Sequence, residues 1–277
     1  MKWLKFLAVA FLIPNLAFAE NISVKYAVKF GIFGEIGVAN ATLVKDEAKK
    51  TYEITLDAKT TGLTNSISGN RREYFHSKGK IVGNTLVPDI YTHEVNRNKK
   101  GKERISRKIF TFDHANLAVN LKRESGYKGE KMDISNEKLG YYAQNDLLSL
   151  FFNFSKLQHS SNKFYTTAVG AKNENGRIDI IIPQDRQKTA VQNELESEFD
   201  PYIVFINQKI FSSARGELYL SLNERGYANK AILKNVLLFG DIRAELLEWI
   251  YLRYCVKFAN FLNLKNLTQY RKNHAKS

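Results

Sequence analysis

The stretch KFGIFGEIGVANATL, Lys29 to Leu43, places Gly31, Gly34 and Gly37 at every third position behind a strand-like run. Glycines ahead of a helix can cradle a phosphate, because bare backbone N–H groups approach the anion and the helix N-terminus faces it. That chemistry wants Gly-x-Gly-x-x-Gly followed by a helix. Here the spacing is Gly-x-x-Gly-x-x-Gly, and the next residues, VANATLVKD, alternate like a strand. The pattern predicts a turn at Gly31 and Gly34 and a bend or bulge at Gly37 that lets a sheet curl. No cofactor is expected.

Other candidates for chemistry are sparse. His93-Glu94 lacks the second histidine four residues on that would set two zinc ligands on one helix face. His76, His114 and His159 stand alone, and Cys255 is the only cysteine, so neither a disulfide within the chain nor a cysteine-rich metal site is expected. No Gly-x-Ser-x-Gly elbow occurs. Asp133 and Asp200 have apolar or aromatic neighbours but no second acid at a readable spacing, and glycoside hydrolysis needs two carboxylates across a cleft. The acidic run Gln192 to Asp200 reads as a solvated loop closed by an Asp-Pro turn. The basic turn Asn96 to Arg104 could contact a single nucleic-acid strand, yet lysines at hairpin tips also guard sheet edges. No catalytic residue is singled out, and no nucleic acid is expected.

The elements around these residues are mostly strands. Val24, Tyr26, Val28 and Phe30 alternate with Lys25 and Lys29, and Tyr52, Ile54, Leu56 and Ala58 alternate with Glu53, Thr55, Asp57 and Lys59. Turn signals recur at Ser68-Gly69-Asn70, Gly83-Asn84, Lys100-Gly101, Asp113 to Asn116, Asn175-Gly176 and Asn223 to Gly226. The expected fold is mainly β: an antiparallel, strongly curved sheet or half-open barrel. One segment breaks the pattern. In NDLLSLFFNFSKLQ, Leu147, Phe151 and Phe154 recur at helical spacing behind a capping Asn145 or Asp146, predicting a buried helix over about 145–157. Its aromatic face either fills the concave side of the sheet or lines an apolar pocket through Leu147, Phe151 and Phe154.

The first residues, MKWLKFLAVAFLIPNLAFAE, combine Lys2 and Lys5 with an apolar run and a small-x-small site at Ala17-Phe18-Ala19. They predict a secretory signal peptide over 1–19, cleaved after Ala19, and hence an exported protein with a single β-rich domain over 20–248. A 44% apolar composition supplies a packed core without disulfides. The formal charge of +14 becomes +12 once Lys2 and Lys5 leave with the leader, which favours anionic surfaces. No acidic residue follows Glu248. Residues 249–277 therefore read as a basic amphipathic extension that either lies on an anionic membrane surface or docks on the domain.

The segments YAVKFGIFGEIGVANATL, YEITLDAKTTGL, REYFHSKGKI with LVPDIYTHEV, NDLLSLFFNF, and GELYLSLNERGYANKAILKNVLLFGDIRAELL occur in an order that resembles an exported bacterial family of unknown function. The resemblance spans Tyr26 to about Leu247. It implies a periplasmic β-rich protein, a half-barrel around a helix similar to bacterial lipoprotein carriers, which shield an acyl chain in an apolar concavity. It carries no site residues. Three functions are expected in turn: a non-enzymatic envelope protein binding a lipid-like ligand, an interaction module docking on an envelope component through a basic face, and a glycan-acting enzyme.

Overall fold

The computed structural model describes residues 18–31, 34–62, 65, 68–171, 175–206, 216–236 and 240–255. Residues 1–17 of the expected leader and 256–277 of the expected C-terminal extension lie outside the described residues.

The chain first lays down eight strands in sequence: β1 (Phe18–Phe30), β2 (Glu35–Asp46), β3 (Thr51–Thr60), β4 (Arg72–Val82), β5 (Thr85–Lys99), β6 (Lys102–Asp113), β7 (Ala118–Tyr127) and β8 (Asp133–Lys138). A two-residue strand, β9 (Asn145–Asp146), leads into helix α1 (Leu147–Asn153) and a 3-10 turn at Phe154–Lys156. Then come β10 (Lys163–Val169), β11 (Arg177–Ile181), helix α2 (Asp185–Leu195), β12 (Pro201–Phe205), β13 (Glu217–Leu222), β14 (Ala228–Val236) and β15 (Gly240–Cys255).

All of these strands join one 15-stranded sheet in the order β8-β7-β6-β5-β4-β3-β2-β1-β15-β14-β13-β12-β11-β10-β9. Neighbours are antiparallel except β9 and β10, which run parallel through Ala168 with Asn145 and Val169 with Asp146. The sheet's two edges, β8 and β9, are consecutive in the chain. Only residues 139–144 join them, a reach of roughly 25 Å. Laid flat, the same sheet would separate its edges by about 65 Å. It must therefore curl, and the space it curls around holds α1.

The curl has a local cause at the glycines. Gly31 and Gly34 have positive φ angles of 43° and 66° and make the β1–β2 turn. The β1–β2 register shifts between Val28 and Lys29, beside the Val28–Gly37 pair. A Cβ on Gly37 would stand 2.6 Å from the Lys59 carbonyl oxygen of β3. The close approach of the β3 backbone is what excludes a side chain there.

The core contains Ile22, Val24, Leu43, Ile54, Tyr91 and Phe110 from the first strands, Leu148, Leu150 and Phe152 from α1, and Ile178 and Val204 from the second half. A smaller cluster, Val191, Leu195, Ile203 and Ile232, seats α2 on the other face.

Three segments differ from the sequence expectation. The helix expected over about 145–157 is α1 over Leu147–Asn153 with a 3-10 turn to Lys156, because Asn145 and Asp146 pair with β10 as β9. Gln192 to Leu195, expected in a solvated loop, form the last turn of α2, because Val191 and Leu195 at i, i+4 spacing bury against Ile203 and Ile232. The helix stops at Glu196, which turns left-handed at φ 51°. Residues 249–255 of the expected C-terminal extension are the end of β15, where Trp249 to Cys255 pair with Val24 to Phe18 of β1.

Candidate functional site

Helix α1 is held at both ends by buried polar groups. Asp146 is the N-cap: its Oδ1 accepts from the backbone N–H of Leu148 (2.7 Å) and Ser149 (2.8 Å), while the Asp146 N–H donates to Ser149 Oγ (2.9 Å), a complete capping box. The other carboxylate oxygen accepts from Ser77 Oγ of β4 at 2.5 Å. Ser77 Oγ lies 3.0 Å from the Tyr52 hydroxyl of β3, which donates to it while the serine proton is committed to Asp146. Burial pushes the Asp146 carboxyl up to about 6 against the lowering effect of these bonds. At the far end, Asn153 Oδ1 accepts from the Leu86 N–H (3.0 Å), and its Nδ2 donates to the Leu86 carbonyl (2.9 Å) and to Asn145 Oδ1 (3.0 Å). A helix of seven residues is too short to hold itself in water, so these bonds and its apolar contacts fix its rotation.

That rotation aims one face into an apolar cavity of about 260 Å³. Leu147, Leu150, Phe151 and Phe154 line it from the helix side. Tyr26, Val28, Ala39, Ala41 and Leu56 line it from β1–β3, and Ile178, Val204, Leu218, Ala231 and Ala244 from the strands of the second half. The structure thus brings Leu147, Phe151 and Phe154 together on a single wall. Phe151 meets Tyr26 edge-on at 6.3 Å, and Phe154 meets Tyr202 edge-on at 5.2 Å. Among the described lining residues the one hydroxyl, on Tyr26, donates to the Ala228 carbonyl at 2.8 Å and is engaged with the wall. Burial raises its pKa far above the ordinary tyrosine range.

Inward positions lose their burial toward one end of the strands. Ile22 and Val24 of β1 are fully buried while Val28 is half-buried; along β3, Tyr52 and Ile54 are buried while Leu56 and Ala58 are half-buried. The concavity is therefore tight around Asp146 and widens toward the Gly37 end. Sequence reasoning missed the strand-borne part of the lining. The alternation of Tyr26, Val28, Ala39, Ala41 and Leu56 showed which face was inward, but small residues at Ala39, Ala41, Ala231 and Ala244 leave space only because they meet across the curl.

The isolated histidines and acids each have ordinary roles. His76 Nε2 lies 2.7 Å from Glu53, His93 Nε2 lies 2.8 Å from Glu73, His114 contacts the Tyr142 hydroxyl and the Pro88 carbonyl, and His159 stacks on Phe164. Asp200 pairs with Lys188 at 2.6 Å, and Asp133 is exposed on β8. No cluster of three or more metal-ligating side chains forms among the described residues.

No protein-family model and no curated protein sequence matches the chain. Among solved structures it is similar to a β-barrel-like protein of domain of unknown function DUF1849 from Brucella abortus, with 11% identity, a TM-score of 0.40, and coverage of 85% of this chain and 98% of that one. It is also similar to a porin-like protein from Bacteroides uniformis, with 11% identity, a TM-score of 0.20, and coverage of 84% and 97%.

Proposed function

We propose that this is a non-enzymatic periplasmic protein of the cell envelope that holds a lipid-like, apolar moiety in the concavity of its curled sheet. The observation that carries this reading is the cavity beside Phe151 and Phe154, about 260 Å³ in volume and walled by apolar side chains. A space lined this way gives water no hydrogen-bonding partners. Apolar cavities of only about 150 Å³ stay dry and take up benzene-sized guests. The leader-like pattern of residues 1–19, charged, then apolar, then small-x-small, supports export.

The volume also limits the guest. Sites that enclose a whole drug-sized ligand run from roughly 300 to 1,000 Å³, so this one suits a single slender apolar group with the remainder of the molecule outside.

The test uses the neutral fluorophore N-phenyl-1-naphthylamine with the mature protein and with an Ala39→Leu/Ala244→Leu variant that fills the cavity. Saturable binding by the parent, lost in a variant that melts no lower, is the expected result. No saturable binding by the parent, or equal binding by both proteins, overturns the reading.

A further inference from the structure

Beyond the cavity, the same concave face changes from apolar to basic along one continuous row. The strand registers pair Ala41 with Leu56, Leu56 with Phe75, Phe75 with His93, His93 with Lys108, and Lys108 with Arg123. Directly paired residues share a face of a sheet. Ala41 and Leu56 line the cavity. The face is fixed on the far strands by Tyr91, Phe110 and Leu121, which belong to the core and stand two residues along their strands from His93, Lys108 and Arg123, on the same side of the pleat. From Leu56 to Lys108 is three strand spacings, about 14 Å.

Four residues toward the wide end, Arg97 and Arg104 stand opposite each other on that same face. Like charges directly opposite across a strand pair are destabilising, and this face contains three such pairs, Lys108–Arg123, Arg97–Arg104 and Lys99–Lys102. Among the described residues of this basic stretch, three acids share the face: Glu73, paired with Arg71 and His93; Glu137, paired with Arg123; and Asp133, exposed on β8 opposite Ser125. Burial raises the Glu73 carboxyl, but the His93 hydrogen bond and Arg71 outweigh it, so the group is held below its usual range and stays anionic. Phe75 stacks on His93 at 4.1 Å and makes the junction between the apolar and basic stretches.

We infer that the guest is an anionic amphiphile, with its alkyl tail in the cavity under Phe151 and its carboxylate or phosphate headgroup at Lys108 and Arg123, with Arg97 and Arg104 adding to the attracting field. This inference rests on the apolar-cavity reading and adds the headgroup chemistry to it. Among the described residues the cavity's lining is apolar and offers a charged group no partner, whereas the row outside it supplies unlike charge within reach of a single chain.

Competition against bound N-phenyl-1-naphthylamine by myristate and by tetradecanol, equal in chain length and different in charge, tests it. A Lys108→Gln/Arg123→Gln variant and a charge-keeping Lys108→Arg/Arg123→Lys variant are measured beside the parent. The parent is expected to prefer myristate by at least roughly tenfold, the size of one charge-assisted hydrogen bond. That preference should disappear in the glutamine variant, persist in the charge-keeping one, and shrink as salt is raised. Myristoyl lysophosphatidylglycerol then separates phosphate from carboxylate heads, and tighter binding of either one than of tetradecanol supports the inference. Equal displacement by myristate and tetradecanol overturns the headgroup site while leaving the cavity reading intact. Failure of both to bind overturns both. Should the glutamine variant not fold, a myristate preference in the parent that is insensitive to salt overturns the headgroup site equally.

Discussion

The Ser77 hydroxyl of β4 donates to the fully buried carboxylate of Asp146 at 2.5 Å, tying the N-cap of α1 to a strand 69 residues earlier in the chain. This bond, with the Tyr52 hydroxyl behind it, sets the depth and rotation of the helix and so where Phe151 and Phe154 meet the cavity.

The pH dependence stems from that burial. The Asp146 pKa is raised to about 6 in the folded protein, against about 3.9 in an unfolded chain. Between these values the folded state holds the extra proton, so this group's contribution is full below about pH 4 and is lost as pH rises through about 6. Asp46, Glu73 and Asp241 are shifted the other way and lose their contributions as pH falls. The difference between proteins therefore isolates Asp146. Melting temperatures of the parent minus those of Asp146→Asn should decline by several degrees from pH 4 to pH 7. A flat difference would show that the carboxyl titrates normally.

Gly37 sits where β1 and β2 shift register, and its missing side chain makes room for the Lys59 carbonyl. Gly37→Val should lower stability by about 1–3 kcal/mol, the usual cost of forcing atoms into a packed site. Urea denaturation gives the answer, and an unchanged midpoint would mean that the strands relax freely at this point.

Asn153 gives Leu86 both of its backbone partners. Replacing it with the similarly sized leucine leaves a buried N–H and a buried C=O unpaired. Asn153→Leu should therefore cost roughly 2–6 kcal/mol, from about 1–3 for each orphaned group. Hydrogen exchange at the Leu86 amide should accelerate as well. Parent-like protection of that amide would show that another acceptor replaces the asparagine.

Much of this architecture was legible in the sequence, and the reasons are specific. Strict alternation at Tyr52 to Lys59 and glycine- or asparagine-bearing turns mark strands that pair with their chain neighbours, so the curved β-sheet could be read directly. Asn145 or Asp146 ahead of LLSLFFNF marked the helix start, and its spacing put Leu147, Phe151 and Phe154 on one side. Helix α2 was hidden because only Val191 and Leu195 on it are buried, too narrow a stripe to stand out from the acidic residues around it. The basic residues of Asn96 to Arg104 were visible as a turn, but which of them face the concavity depends on the register of β5 with β6 and β7. Register across several strands is a property of the assembled sheet. The same holds for the cavity, whose alanines come from strands more than 150 residues apart in the chain.

Whether the concavity carries an apolar guest is decided by native mass spectrometry of the protein purified without detergent from its own host cells. An occupied cavity gives a mass increment matching one acyl-bearing molecule, displaced by added myristate and absent from the Ala39→Leu/Ala244→Leu variant. A bare polypeptide mass that takes up no added myristate would contradict it.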